Sequence, residues 1–153
     1  NALKNALIDD CTLAKLVKKA GGNTWIGLSK GIKTKRSYNS LSNIWSMVER
    51  TAFTQLNYSF PMLFLCTFTM VLIFIAPVAG LIFFNDLIAA ISAISILIMG
   101  FTYHPILKYY QLNTLKSLTL PLASLLFLLM TWTSAVKYMV GRRSKWKGRV
   151  YKK

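Results

Sequence analysis

Residues 60–103 read FPMLFLCTFTMVLIFIAPVAGLIFFNDLIAAISAISILIMGFTY, and Asp86, beside Asn85, is the only formal charge among them. An α-helix rises about 1.5 Å per residue, and the hydrocarbon core of a bilayer is about 30 Å thick, so one crossing takes about 20 apolar residues. The stretch holds two such crossings back to back, with Asn85–Asp86 as the polar turn between them. In hydrocarbon no water bonds the backbone, so each segment must satisfy its own N–H and C=O groups, and helices are the default. A soluble core has no use for a run this long without a polar face. The expected fold class is therefore mainly α and membrane-embedded.

Outward from this block the charge is uneven. The 153 residues are 54% hydrophobic and carry a net charge of +15. Residues 1–59 hold nine Lys/Arg and three Asp/Glu, and residues 140–153 hold seven Lys/Arg and no acid. Between Phe60 and Met139 the basic residues are Lys108, Lys116 and Lys137. Basic flanks around apolar spans are the pattern of cytoplasmic loops facing anionic lipid. A basic tail also suits nucleic acid, but this one abuts a span, so membrane lipid is the expected partner and nucleic acid is not. The first residue is Asn, and no charged leader, apolar segment and cleavage site precede the polar part. The expectation is a piece of a longer protein. Cys11 lies in the polar part and Cys66 in a span, so no disulfide framework is implied.

Four regions follow in order. Residues 1–39 form a polar unit. In it, Asp9 or Asp10 is expected to cap a helix, with Leu13, Leu16, Val17 and Ala20 on one face and Gly21–Gly22 as the stop. Asn23 to Leu28 then reads as a short strand, and Lys30 to Tyr38 as a basic loop. Residues 40–59 form a second helix, capped by Ser40 or Ser42. Its stripe is Leu41, Ile44, Trp45, Val48, Ala52 and Leu56, and Arg50 points the other way. An amphipathic helix with Trp45 on its apolar side, running into a span, reads as interfacial. Tyr58 and Phe60 add an aromatic belt. Residues 60–139 hold about three transmembrane helices, roughly 60–84, 87–103 and 118–139. Pro77 is expected to kink the first. Ala89, Ala90, Ser92, Ala93 and Ser95 suit the second to close packing. His104 to Ser117 reads as a loop, and His104 as an interfacial histidine rather than a metal ligand. Lys137 can snorkel from the third. Residues 140–153 are the basic tail. Three full crossings would put the two basic flanks on opposite sides, against the positive-inside rule, so one segment is expected to be re-entrant or interfacial.

Chemistry has few candidates here. No Ser/His/Asp set, CxxC pair, phosphate-binding glycine loop or zinc-ligand spacing occurs. Asp9–Asp10 is the one acidic pair in a chain with four acids. A carboxylate at a helix start is favoured by the dipole and can accept a proton from a nearby hydroxyl; the plainer reading is a capping group.

The run Leu7-Ile8-Asp9-Asp10-Cys11-Thr12-Leu13-Ala14, with Val17-Lys18-Lys19-Ala20-Gly21-Gly22 after it, resembles the acid-pair motif late in the catalytic domain of family 2 glycosyltransferases. Arg50-Thr51-Ala52-Phe53-Thr54-Gln55-Leu56-Asn57-Tyr58-Ser59 and the ending Trp146-Lys147-Gly148-Arg149-Val150-Tyr151 are most similar to the membrane-bound branch called hopene-associated glycosyltransferases. The resemblance covers nearly the whole chain. It implies that residues 1–39 are the C-terminal remnant of a GT-A α/β catalytic domain. The implied reaction moves a sugar, with inversion, from a nucleotide-sugar donor to a lipid-like acceptor such as a hopanoid. Asp10 would be the general base and Asp9 its neighbour. No cofactor is implied within these residues; the divalent metal of the family, Mg or Mn, is held by an Asp-x-Asp motif that this chain lacks and that is expected upstream of Asn1. Many processive relatives carry Gln-x-x-Arg-Trp on the interfacial helix. Here Arg50 precedes Gln55 and no Trp follows, so polymer synthesis is not implied.

Arg50 and Gln55 are the candidates for touching the diphosphate or ordering the acceptor, since positive groups aimed at a departing diphosphate lower the barrier. The alternatives for Arg50 are a cation at lipid headgroups or a partner of Glu49. Trp45 and Trp146 would sit at the membrane interface, with Lys147 and Arg149 on lipid phosphates; closure of the tail over the active site is the other reading. The implied location is the bacterial inner membrane, catalytic part cytoplasmic. The rival function is a small non-enzymatic membrane anchor or lipid-binding subunit.

Overall fold

A computed structural model describes residues 8–32 and 39–141, together with the backbone of 145–146 and 149–150. The fold is mainly helical. Helix α1 spans Asp9–Lys19 and α2 spans Leu41–Gln55. Three long helices follow: α3 (Phe60–Phe83), α4 (Asp86–Tyr109) and α5 (Thr114–Met139), each long and apolar enough to cross a membrane. The tail adds an antiparallel ladder of two-residue strands, β1 (Lys145–Trp146) and β2 (Arg149–Val150), with Trp146 opposite Arg149.

Local chemistry sets most boundaries. Ser40 Oγ accepts from the Asn43 N–H at 3.3 Å and caps α2; Ser59 Oγ accepts from the Met62 N–H at 3.4 Å and caps α3. These side chains satisfy donors that a helix start leaves open. Gly21 takes a φ of +80° and ends α1 in a Schellman closure, Gly22 N–H to Val17 C=O at 2.9 Å and Gly21 N–H to Lys18 C=O at 3.1 Å. Asn57 and Gln111 close α2 and α4 in the same way, without glycine.

Helix α3 is not uniform. Val71–Ile75 widens into a π turn just ahead of Pro77, which lies in the first turn of the α segment Ala76–Phe83. Proline removes one backbone donor and crowds the carbonyl four residues earlier. A π adjustment is one way a membrane helix re-satisfies its backbone around it.

Three expectations are corrected. Asn23 to Leu28 forms no strand; among the described residues no neighbouring strand supplies a ladder, and Trp25 and Ile26 are exposed. His104 to Tyr109 is not loop: α4 runs on through Pro105, its extension carrying the fully buried Leu107. The third helix starts at Thr114, not 118, because Asn113 Oδ1 accepts from the Leu115 N–H at 2.9 Å and opens a 3₁₀ stretch, Thr114–Thr119, ahead of the α segment.

The core is a corner of three helices. Phe53 of α2, Leu63 of α3 and Ala135 of α5 are fully buried, surrounded by Leu56, Tyr58, Phe60, Trp132 and Tyr138. Tyr58 stacks on Tyr138 with ring centres 4.6 Å apart, and Phe53 meets Phe60 at 5.2 Å and Tyr138 at 5.3 Å. Deeper along the pair, the Trp132 indole N–H donates to Thr67 Oγ1 at 3.0 Å. Residue numbers rise along α3 as they fall along α5, so the two are antiparallel, with the start of α3 beside the end of α5. Helix α4 instead packs on the far end of α3, where Gly80 lets Ser92 approach so closely that a Cβ would overlap its hydroxyl.

Candidate functional site

The acid pair sits where the sequence placed it, at the start of a helix, but not as the cap. Ile8 holds the cap position, and its carbonyl accepts from the Thr12 N–H at 3.1 Å and the Thr12 hydroxyl at 2.8 Å. Asp9 and Asp10 lie one step further in, within the first turn. There Asp10 Oδ1 accepts from the Cys11 N–H at 2.7 Å, and the Asp10 side chain is exposed. Acids in a first turn complement the positive end of the helix dipole without capping it. Lys18 and Lys19 complement the opposite end. Helix α1 makes no extended packing against the other helices among the described residues, and Leu13 and Leu16 of its apolar face stay exposed.

Arg50 is half-buried on α2, and Gln55 is the exposed last residue of that helix. Trp45 is half-buried, in keeping with the apolar stripe. The stripe omitted Phe53, the most buried side chain of α2, whose N–H donates to Ser134 Oγ at 3.2 Å. Glu49 hides this face. A carboxylate one turn before Phe53 reads as solvent-facing, yet Lys137 Nζ of α5 lies 2.5 Å from Glu49 Oε1. Only the pairing partner, far along the chain, reveals that Glu49 faces inward. In the tail, Trp146 and Arg149 are opposite each other in the β1–β2 ladder, and Lys147 lies outside the described residues.

A second gathering of polar groups was not foreseen. Ser29, Lys30, Ile32, Tyr110 and Gln111 line a cleft of about 280 Å³ between the segment before α2 and the end of α4. Next to it the Tyr109 hydroxyl donates to the Leu28 carbonyl at 3.2 Å, and Lys30 Nζ lies 4.9 Å from the centre of the Tyr109 ring. The signal in the sequence is the adjacent Tyr109 and Tyr110, which fall inside the His104 to Ser117 stretch that reads as a loop. Among the described side chains, Asp10, Arg50 and Gln55 do not line this cleft, and the side chain of Asp9 lies outside the described residues. Among the described residues no three His, Cys, Asp or Glu side chains come together as a ligand set for a metal ion. No family model, curated protein or solved structure matches the chain.

Proposed function

We propose that this chain is the C-terminal part of a membrane-bound glycosyltransferase that moves a sugar from a nucleotide donor to a lipid-like acceptor, such as a hopanoid, at the cytoplasmic face of a bacterial inner membrane. The observation that supports it best is the exposed Asp10 carboxylate in the first turn of α1, in a polar region that leads through α2 directly into the apolar helices. In this reading Asp10 takes the proton of the acceptor hydroxyl as the oxygen attacks the sugar carbon from the face opposite the diphosphate, and the configuration inverts. Asp9 is the acidic neighbour of Asp10 in the chain. Arg50 offsets charge as the nucleoside diphosphate leaves, with Gln55 ordering the acceptor, and the membrane holds a greasy acceptor where its hydroxyl meets the base. A divalent ion would serve the diphosphate; the described residues offer no ligand set for it, and no step above runs through it. The exposed Leu13, Leu16, Trp25 and Ile26 are the surface a catalytic domain would cover.

The test is sugar transfer from labelled donors to membrane lipid by the whole protein carrying Asp10→Asn. The expected loss is about 10²–10⁴-fold, the range for a general base, with membrane levels unchanged. Turnover like the wild type removes Asp10 as the base. The exposed, loosely packed α1 also suits the rival reading, a non-enzymatic anchor or lipid-binding subunit. The coding DNA separates them: an in-frame upstream region with an Asp-x-Asp supports the enzyme, and a start codon just before Asn1 supports the subunit.

A further inference from the structure

Three helices have the length to cross a membrane, but the contacts at their ends carry a parity. Helix α3 leaves the polar amino-terminal part at Phe60 and turns at Phe84–Asn85 into α4. Helix α4 ends at Tyr109, whose hydroxyl bonds the Leu28 carbonyl and whose ring lies under Lys30, both of them residues upstream of α2. Helix α5 begins a short turn later. It ends on the same polar part, with Lys137 on Glu49, Ser134 on the Phe53 N–H and Tyr138 stacked on Tyr58. The end of α5 is therefore tied to residues that precede α3, and its start follows, by one short turn, the end of α4 that is tied to them as well.

We infer that α3 and α4 cross the membrane as a hairpin, and that α5 does not cross: it docks into the leaflet on the side of α1 and α2. Charge supports the same count. No Lys or Arg occurs from Thr51 to Leu107, so the hairpin turn at Asn85 carries no basic residue. With α5 docked, all nineteen Lys and Arg lie on one side of the membrane. Three crossings would send the seven basic residues of the tail to the side of Asn85, against the positive-inside rule. The surfaces agree as well. Helix α5 is the least apolar of the three and the most covered by protein, with 28% of its apolar window buried against 6% in each of the others. Ser124, Leu128 and Ser134 are turned inward, while Leu115, Leu118, Leu122, Leu125 and Leu129 form an exposed stripe at helical spacing. That stripe is a lipid-facing surface, and the basic tail that follows it meets anionic headgroups of the same leaflet. The inference stands whether or not the chain belongs to an enzyme.

Sidedness of single cysteines decides it. In full-length protein lacking Cys11 and Cys66, Asn85→Cys, Leu112→Cys and Lys153→Cys are treated with a membrane-impermeant maleimide in right-side-out and inverted vesicles. Native Cys11, exposed on α1, retained in a Cys66→Ala variant, marks the amino-terminal side. The expected result is label on Leu112→Cys, Lys153→Cys and Cys11 from one side, and on Asn85→Cys from the other. Label on Lys153→Cys from the side of Asn85 overturns the inference, because it requires three crossings. Label on Leu112→Cys from the side of Asn85 also overturns it, because α4 is then the helix that fails to cross. An epitope tag after Lys153, probed before and after permeabilisation, reads the position of the tail without altering any helix.

Discussion

The corner where α2, α3 and α5 meet and the turn where α3 meets α4 are joined by opposite means. At the corner, large rings interlock, an indole finds a hydroxyl, and an ion pair closes the edge. At the turn, two small residues, Gly80 and Ser92, let backbones approach, and little else is buried. Lipid tails are as apolar as leucine, so helix pairs in a bilayer gain from close packing and polar contacts rather than from expulsion of water. The corner holds through specific side chains. The hairpin holds through shape, and through the hydrocarbon around it.

Substitutions can break this contrast. Phe53→Ala empties the centre of the corner and is expected to lower stability by about 3–5 kcal/mol, read as a shifted unfolding midpoint in detergent. Lys137→Met comes next, at about 3 kcal/mol, because it strands Glu49. The Glu49 side chain is 11% exposed, and its Oε1 has no hydrogen bond beyond the ion pair among the described residues, whereas the Lys137 side chain is 52% exposed. The reverse change, Glu49→Gln, is expected to cost about 1 kcal/mol, since the lysine reaches water. Equal effects of the two in the same melt would show that Glu49 is solvated. Gly80→Val forces α3 and α4 apart and is expected to cost about 2 kcal/mol, with Ser92→Gly recovering part of it in the double variant. Leu97→Ala, on the exposed face of α4, is expected to change stability by less than about 0.5 kcal/mol; a larger drop would mean that a protein partner, not lipid, covers that face.

What the sequence made legible was local. The apolar run from Phe60, the serine at 40, the Gly21–Gly22 stop and the turn at Asn85 each act through their own few neighbours, and each stands close to where the residues placed it. What it hid depends on distant partners. Phe53 falls off the apolar stripe and Glu49 reads only as a partner for Arg50 until Ser134 and Lys137 face them. Pro105 reads as the end of a helix, yet α4 passes through it to the buried Leu107 and the closure at Gln111. Asn23 to Leu28 has strand-like composition, but a strand needs a neighbour, and none is described. For the candidate site, the acid pair was legible as a helix opening, while the cleft at Lys30 and Tyr110 joins segments too far apart in the chain for any spacing rule to connect them.

The π turn at Val71–Ile75 has one more effect. A wider turn takes up an additional residue, so everything beyond it is rotated by about 100° relative to an unbroken spiral. The near half of α3 aims Leu63 and Thr67 at one neighbour, and the far half aims Gly80 at another. That short dislocation works as a phase setting: a change of a single residue in its length would leave the rod as greasy as before, yet point its outer end at the wrong companion.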